Sequence, residues 1–272
     1  MPTDRAAETA VQEVVTSHGY AWRMSGSSKA RRQSLERPEL AELMSVLDLD
    51  RVVTVIVFGS VARGEADQQS DLDVLVVLTD DESRTELRRR LRERRVDVTR
   101  LPVSLALFTP VRLIQEAADR PSFISHLLDE GVSIYDAPAW ASLRSALVEK
   151  AADREALGRE VRNRARHLEP LSGAERYSNR SPVTVLSHLY GISRSLVIAR
   201  LLQAGIHEYG WRRAFDRYAE VRPDLRSQLE ALKGLRPYYE YAHGRAGAVA
   251  PDRVVDAEEV RQLLDAAEQL AG

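Results

Sequence analysis

The chain has 272 residues, of which 44% are hydrophobic and 29% are charged, and its formal net charge is −2. This length predicts one large domain or two small ones with a sizeable core, and the composition is that of a soluble globular protein. The sequence contains no cysteine, which excludes disulfides, thiolate metal sites and a cysteine nucleophile. A net charge near zero gives no overall attraction to nucleic acid or to a membrane surface.

Neither a membrane span nor a targeting segment is expected. No apolar run approaches the roughly 20 residues that a membrane helix needs. The first ten residues, MPTDRAAETA, lack the apolar core of a signal peptide. We therefore expect a cytoplasmic protein with no membrane partner.

The first half of the chain alternates between predicted helices and strands. A helical extension is expected over residues 5–17, and a short helix begins at Pro38, where the fixed φ of proline suits a first helical turn. Apolar runs rich in β-branched residues predict three strands and a possible edge strand, at 52–58, 72–78, 103–108 and 132–135. Between and after them, helices are predicted at 81–95, 110–118 and 121–130.

The pattern changes after Pro138. Helical periodicity replaces the strand signals, and the predicted helices are 139–168, 182–204, 208–219, 223–233 and 254–270. The sequence therefore predicts a domain of strands and helices over 1–137, with the helical extension at its start. An all-helical domain is predicted over 138–272.

One segment, FGSVARGEADQQSDLDVLVV at 58–77, concentrates residues suited to chemistry. Gly59 removes a side chain where a backbone must approach a ligand, and a helix that starts at Ser60 would offer free amides to an anion. Side chains alternate along a strand, so Asp71 and Asp73 should point the same way while their apolar neighbours face the core. Two such carboxylates repel each other in the absence of a cation and form a hard oxygen site suited to Mg²⁺.

The spacing of these residues resembles a known signature. Gly59, Ser60, Asp71 and Asp73, with the embedded ARG, match the pattern G-S-x10-D-x-D of the DNA polymerase β-like nucleotidyltransferase superfamily. The sequence is most similar to its minimal and antibiotic nucleotidyltransferases, over about residues 40–137. The resemblance implies an α+β fold in which a nucleotidyltransferase domain with a mixed sheet precedes the helical domain.

The resemblance also implies roles for individual residues and for two small molecules. ATP would be the co-substrate, and Mg²⁺ would be bound by Asp71 and Asp73, which would be the catalytic residues. The nucleotide-binding residues that it implies are Gly59, Ser60, Arg63 and Ser70.

The third carboxylate of this family has two candidate positions. Asp97 has the expected local sequence, VDV, but TRLP follows at once and spoils a strand. The run VSLALF at 103–108 is the better strand and places Ser104 at the position of the acid, so we favour Ser104. A neutral serine neither holds a metal as a carboxylate does nor acts as a base near pH 7. The base would then come from the helical domain, from Asp97 after local bending, or from no residue.

The expected function is transfer of a nucleoside monophosphate, AMP from ATP, to an acceptor group such as the hydroxyl of a small-molecule antibiotic. One alternative is a toxin–antitoxin type nucleotidyltransferase that modifies a protein or an RNA. Another is a nucleotide-binding module that has lost catalysis. A nucleoside triphosphate is the expected partner in each case, while the acceptor stays open.

The helical domain is expected to bind the acceptor, with a weak candidate pocket formed by Tyr238, Glu240 and His243. Arg236 and His243 also resemble the loose R-x4–6-H pattern of HEPN ribonucleases, which arises easily by chance in a chain this rich in arginine. Ordinary helix packing is the competing interpretation of this aromatic cluster.

Overall fold

The structure, a computed structural model, forms two compact units. The first unit holds residues 1–113 and 130–145, and the second holds 114–129 and 146–272. The chain therefore changes unit three times, at 113/114, 129/130 and 145/146. The residues that the structure describes are 37–66, 71–93, 103–172, 182–211, 213–244, 248–251 and 255–272.

A four-stranded mixed sheet forms the centre of the first unit. Its strands are β1 (Val52–Phe58), β2 (Leu72–Leu78), β3 (Val103–Phe108) and β4 (Val132–Asp136). Their order is β3-β2-β1-β4, with β1 antiparallel to both β2 and β4, and β2 parallel to β3. The predicted α+β class with a mixed sheet is confirmed, and the segment at 132–135 is an edge strand as expected.

Helices account for most of the remaining described residues. In chain order they are α1 (Pro38–Val46), α2 (Gly59–Arg63), α3 (Asp81–Glu93), α4 (Pro110–Asp119), α5 (Pro121–Glu130), α6 (Ala139–Ala151), α7 (Arg154–Arg166), α8 (Glu169–Ser172), α9 (Pro182–Gln203), α10 (Arg213–Val221), α11 (Arg226–Lys233), α12 (Arg236–Ala242) and α13 (Ala257–Ala271). Short 3-10 turns cover Leu49–Arg51 and Pro223–Leu225. The predicted helix at 5–17 lies outside the described residues.

Strand β2 is buried on both faces, which explains its unbroken apolar run. Leu72, Val74 and Val76 belong to a core that also contains leucines of α1 and α3. Leu75 and Val77, which alternate with them, are also fully buried. A strand that is buried on both faces has apolar residues on both, whereas a half-exposed strand alternates between apolar and polar residues. The polar residues of this segment are therefore confined to its start.

Helix α9 is the central helix of the second unit. It packs against α7, α10, α12 and α13, and its residues Leu186, Leu189, Leu196 and Leu201 are fully buried. By length and composition alone it could cross a membrane, yet 61% of its most apolar window is buried inside the protein. A helix that packs against others on several sides has apolar side chains around its whole circumference, because each face contacts another helix.

The prediction of one continuous helix over 139–168 was wrong. The structure divides it into α6 and α7 at Asp153, whose carboxylate accepts hydrogen bonds from the amides of Glu155 (2.8 Å) and Ala156 (3.1 Å). This is an N-cap, which supplies partners for the first amides of a new helix. The helical periodicity continues across the break, so the apolar pattern alone did not reveal it. Helix α12 was not predicted, because it is short and rich in tyrosine.

A buried carboxylate joins α5 to α7 within the second unit. Glu160 is only 1% exposed and accepts hydrogen bonds from the backbone amide (3.0 Å) and the hydroxyl (2.7 Å) of Ser122, in the first turn of α5. Arg164 lies 3.5 Å from the same carboxylate. The first turn of a helix favours negative charge, so this carboxylate is well placed to stabilise the start of α5.

We expect Glu160→Gln to lower the free energy of unfolding by about 1–3 kcal/mol, because one of the two accepting oxygens becomes an amide donor in a buried position. Urea unfolding measures the change. Glu155→Gln is the matched control, since it lies on the same helix with a side chain that is 81% exposed. It should leave stability nearly unchanged, and equal losses for the two variants would contradict the assigned role of Glu160.

Candidate active site

One row of residues crosses three strands at the end of the sheet. Phe58, the last residue of β1, pairs with Asp73 of β2, and Asp73 pairs with Ser104 of β3. Leu72 and Val74, on either side of Asp73, belong to the core beneath α1 and α3. Asp73 therefore points to the opposite face of the sheet, because successive strand side chains alternate. Asp71 lies two residues earlier, just before β2, and is exposed.

Gly59 and Asp73 approach each other so closely that a side chain at position 59 would overlap the carboxylate of Asp73. Gly59 has φ +72°, in the left-handed region that favours glycine. A Cβ built on it would lie 2.3 Å from Oδ2 of Asp73 and 3.2 Å from its Cγ. The carboxylate of Asp73 thus lies directly against the backbone of the turn that follows β1. The glycine and the second aspartate of the motif, fourteen positions apart in sequence, form one structural unit.

The turn continues into α2, a helix of a little more than one turn with a well-defined end. Gly64 has φ +71°, its amide donates to the carbonyl of Val61 (3.0 Å), and the amide of Glu65 donates to that of Ser60 (2.9 Å). These two bonds form a Schellman motif, which satisfies carbonyls at a helix end. Val61 and Ala62 are fully buried. Ser60 is therefore held in place by the hydrogen bond that its carbonyl accepts from Glu65 and by the buried side chains of Val61 and Ala62.

Arg63 anchors the last turn of α2. Its guanidinium donates to Glu65 through Nε (2.7 Å) and to Glu130, at the end of α5, through an Nη (2.8 Å). Burial by itself would lower the pKa of the Arg63 guanidinium, but the hydrogen bonds to Glu65 and Glu130 outweigh it and raise the pKa. Arg63 is thus a permanent charge held by two carboxylates. Its expected role in nucleotide binding stays a prediction.

The oxygen donors at the start of β2 fit a magnesium ion. Asp71 and Asp73 supply two carboxylates near an exposed edge, and Mg²⁺ in nucleotide sites takes one or two carboxylates together with phosphate oxygens. Within the described ranges, no group of three or more histidine, cysteine, aspartate or glutamate side chains is placed to hold a metal. Among the described residues, the carboxylate ligands of such a cation would be this pair, and a substrate would supply further oxygen ligands.

The structure describes only one of the two candidate positions for the third carboxylate. The predicted strand at 103–108 is present, and Ser104 lies in register with Asp73. Asp97 lies outside the described residues, as does Ser70, so the expectations for them stay predictions. The functional assignment of Ser104 also stays a prediction, but its place beside Asp73 is a structural fact.

The candidate acceptor residues lie on α12 and just after it, in the second unit. Tyr238 is buried in the core of that unit. Glu240 is bonded to Arg236 (2.6 Å), whose guanidinium lies over the ring of Trp211. His243 stacks on Tyr239, with the ring centroids 4.0 Å apart. These are contacts of helix packing, and the acceptor role of Tyr238, Glu240 and His243 stays a prediction.

Comparison with known proteins agrees with the geometry of the first unit. Residues 39–134 match a family model described as nucleotidyltransferase domain. They form a nucleotidyltransferase domain. The matched range contains the whole row from Phe58 to Ser104, the turn at Gly59 and the partner of Arg63, Glu130.

The chain also has a distant structural likeness. A crystal structure of a toxin–antitoxin with AMP-PNP is 16% identical, and the alignment covers 41% of this chain and 82% of the other, with a TM-score of 0.29. A likeness at that score carries no argument about function. No curated protein matches the chain significantly.

Two sets of contacts escaped the sequence analysis. Glu130, the partner of Arg63, is 67 positions away along the chain, and nothing local marks it as more than the last residue of a helix. In the second unit, Asp129 accepts hydrogen bonds from the hydroxyl of Tyr209 and, at 2.6 Å, pairs with Nδ1 of His207. The only sequence signal for either set is a pair of acids ending a helix before glycine.

Gly59→Ala is expected to damage the turn more than its backbone conformation alone explains. An alanine at a positive φ costs about 1–2 kcal/mol, and at position 59 the methyl group would also displace the carboxylate of Asp73. Gly205→Ala is the control, because Gly205 has φ +75° and a Cβ added there would meet nothing within 4 Å. Urea unfolding should show a larger loss of stability for Gly59→Ala than for Gly205→Ala. Calorimetry with Mg²⁺ present should show weakened ATP binding for Gly59→Ala and unchanged ATP binding for Gly205→Ala. Indistinguishable behaviour of the two variants would refute the close approach.

Glu130→Gln is expected to lower the free energy of unfolding by about 1–3 kcal/mol, because the guanidinium of Arg63 keeps its charge and loses one charged partner. Glu65→Gln should have a smaller effect, since the side chain of Glu65 is 41% exposed and that of Glu130 only 18%. A double-mutant cycle with Arg63→Gln isolates the pair. A coupling energy near zero between positions 63 and 130 would show that the bond contributes nothing.

Proposed function

We propose that this protein transfers a nucleoside monophosphate, AMP from ATP, to an acceptor group in a reaction that requires Mg²⁺. The nucleotidyltransferase domain sets the class of reaction. The donor, the metal and the acceptor are the parts that we propose. The direct contact between the Gly59 turn and Asp73 is the observation that carries the proposal.

This contact brings an anion-binding element and a cation-binding element together. The turn after β1 begins a helix, whose first amides point toward its start and favour an anion. The carboxylate of Asp73 lies against that turn and needs a cation nearby if phosphate is to approach it. A metal-bound triphosphate satisfies both elements, since it presents phosphate oxygens to the amides and a divalent cation to the carboxylates.

Asp71 and Asp73 would hold the metal. When bound there, Mg²⁺ offsets the negative charge of the triphosphate and of the pyrophosphate that leaves. The chain's own contribution is to orient the substrate on fixed elements: β2 holds Asp73 in register with its neighbours, and the Schellman motif fixes Ser60. Positioning and electrostatic stabilisation supply most of the catalysis in phosphoryl-group chemistry.

The roles of the basic and polar residues follow from their contacts. Arg63 pairs with two carboxylates and holds the end of α2, so its effect on the nucleotide would be exerted through the turn. Ser60, half-buried at the start of α2, offers a hydroxyl and an amide to the phosphates. Neither residue provides a base for removing a proton from an acceptor. An antibiotic hydroxyl, the acceptor that the family resemblance suggests, would need such a base.

The double variant Asp71→Asn, Asp73→Asn tests the proposal. We expect it to lose Mg²⁺-dependent transfer of labelled AMP from ATP by at least about 100-fold, because the neutral amides no longer compensate the charge of the cation. Its thermal stability should match or exceed that of the wild type, since the repulsion between the carboxylates is removed.

Asp50→Asn is the matched control, as Asp50 is an exposed carboxylate in the same unit. It should retain full activity. Transfer at the wild-type rate by the double variant would exclude Asp71 and Asp73 as the metal-binding pair, while loss of folding in the double variant would show as an altered circular-dichroism spectrum. In that event the single variants, measured separately, decide the question.

A further inference from the structure

Ser104 occupies the position next to Asp73 in the row that crosses the sheet. Its neighbours in β3, Val103 and Leu105, pack on the same core as Leu72 and Val74. Paired residues of adjacent strands share a face, so Ser104 and Asp73 point to the same side, and the two strands are about 4.8 Å apart. Ser104 is also exposed. Its hydroxyl is therefore available to a group that approaches Asp73.

The first consequence concerns proton removal. A serine hydroxyl does not accept a proton at neutral pH, so Ser104 cannot activate an alcohol beside the carboxylate pair. The part of the chain that the structure describes places no third acid or histidine with Asp71 and Asp73 to hold a metal. A second cation, which could activate a hydroxyl by coordination, would find no additional anionic ligand at position 104.

The second consequence concerns charge. A carboxylate at position 104 would repel an anionic acceptor, because two negative charges at such a short distance repel each other. The Ser104 hydroxyl adds no charge and can donate a hydrogen bond to an oxygen anion. Ser104 thus supplies neither the base that an alcohol needs nor the charge that an anion would avoid.

We propose that the acceptor is an oxyanion already ionised at neutral pH, a phosphate or a carboxylate, and that Ser104 is the residue that determines this specificity. The inference rests on the proposed function and names the acceptor class for the same site. Phosphate monoesters lose their second proton at about pH 6, and carboxylic acids ionise at about pH 4, so neither class needs a base.

The reaction balances without a proton transfer. An oxygen anion of the acceptor attacks the α-phosphorus of ATP and forms a new P–O bond. The bond between the α-phosphorus and the α–β bridging oxygen breaks, and pyrophosphate leaves with that electron pair. A phosphate monoester then yields a substituted diphosphate, and a carboxylate yields an acyl adenylate. With an alcohol acceptor, by contrast, one proton must also be removed.

Matched small probes test the inference with the whole 272-residue chain. Methyl phosphate is compared with methanol, and acetate with ethanol, each at saturating α-labelled ATP and Mg²⁺, and the labelled products are separated. In the wild type, we expect transfer to the oxyanions to exceed transfer to the alcohols by at least ~100-fold, the lower end of what a general base contributes. Ser104→Asp should reduce that ratio by at least ~10-fold. Ser104→Ala should preserve it, since alanine also adds neither base nor charge.

Cation binding gives a second measurement that does not depend on turnover. Mn²⁺ binding, measured by calorimetry, should be about 10-fold tighter in Ser104→Asp than in Ser104→Asn, because only the carboxylate adds a hard anionic ligand. Equal Mn²⁺ affinity in these two variants would overturn the placement of Ser104 beside the pair.

The outcomes also separate this inference from the proposed function. A wild-type protein that binds ATP and Mg²⁺ but transfers AMP to alcohols as fast as to oxyanions, or to no oxyanion, overturns the acceptor class alone. A wild-type protein whose ATP binding is absent, or is unaffected in Asp71→Asn, Asp73→Asn, overturns the proposed function as well. A change of ratio in Ser104→Asp without a change in Ser104→Ala supports both.

Discussion

The contact between the Asp73 carboxylate and the backbone of Gly59 is the constraint on which the candidate site depends. It places a negative charge beside a turn whose amides favour negative ligands, so a phosphate that approaches the turn is repelled by the carboxylate unless a cation lies between them. Any side chain at position 59 would push the two apart. The protein holds them together through the sheet register, which pairs Asp73 with the residue immediately before the glycine.

The surrounding structure makes this arrangement rigid. The apolar side chains on both faces of β2 are buried, and α2 is held by the buried side chains of Val61 and Ala62 at its base. The guanidinium of Arg63 closes the far end of that helix with two carboxylates. A site with three such supports loses little conformational freedom when a substrate binds, and this favours a reaction that depends on orientation. The candidate site is confined to one end of the sheet, where the apolar run begins.

Local signals in the sequence predicted much of this site. Strands β1 and β2, the glycine turn and the two aspartates lie within 27 consecutive residues, 52–78, so spacing and alternation were enough to place them. Pairing between strands that are distant in sequence is not a local property. The register of Ser104 followed only from choosing the better of two strands, and the bond between Arg63 and Glu130 had no local signal. Periodicity also failed at Asp153, since a cap interrupts the backbone without interrupting the apolar pattern.

The division of the chain has a consequence for how this protein could have been assembled. Residues 114–129 belong to the second unit, although the segments on both sides of them belong to the first unit. Neither unit is therefore encoded by one continuous stretch of the gene. A single crossover between homologues at any position would leave at least one unit with residues from both parents, so the second unit could not be exchanged as a block.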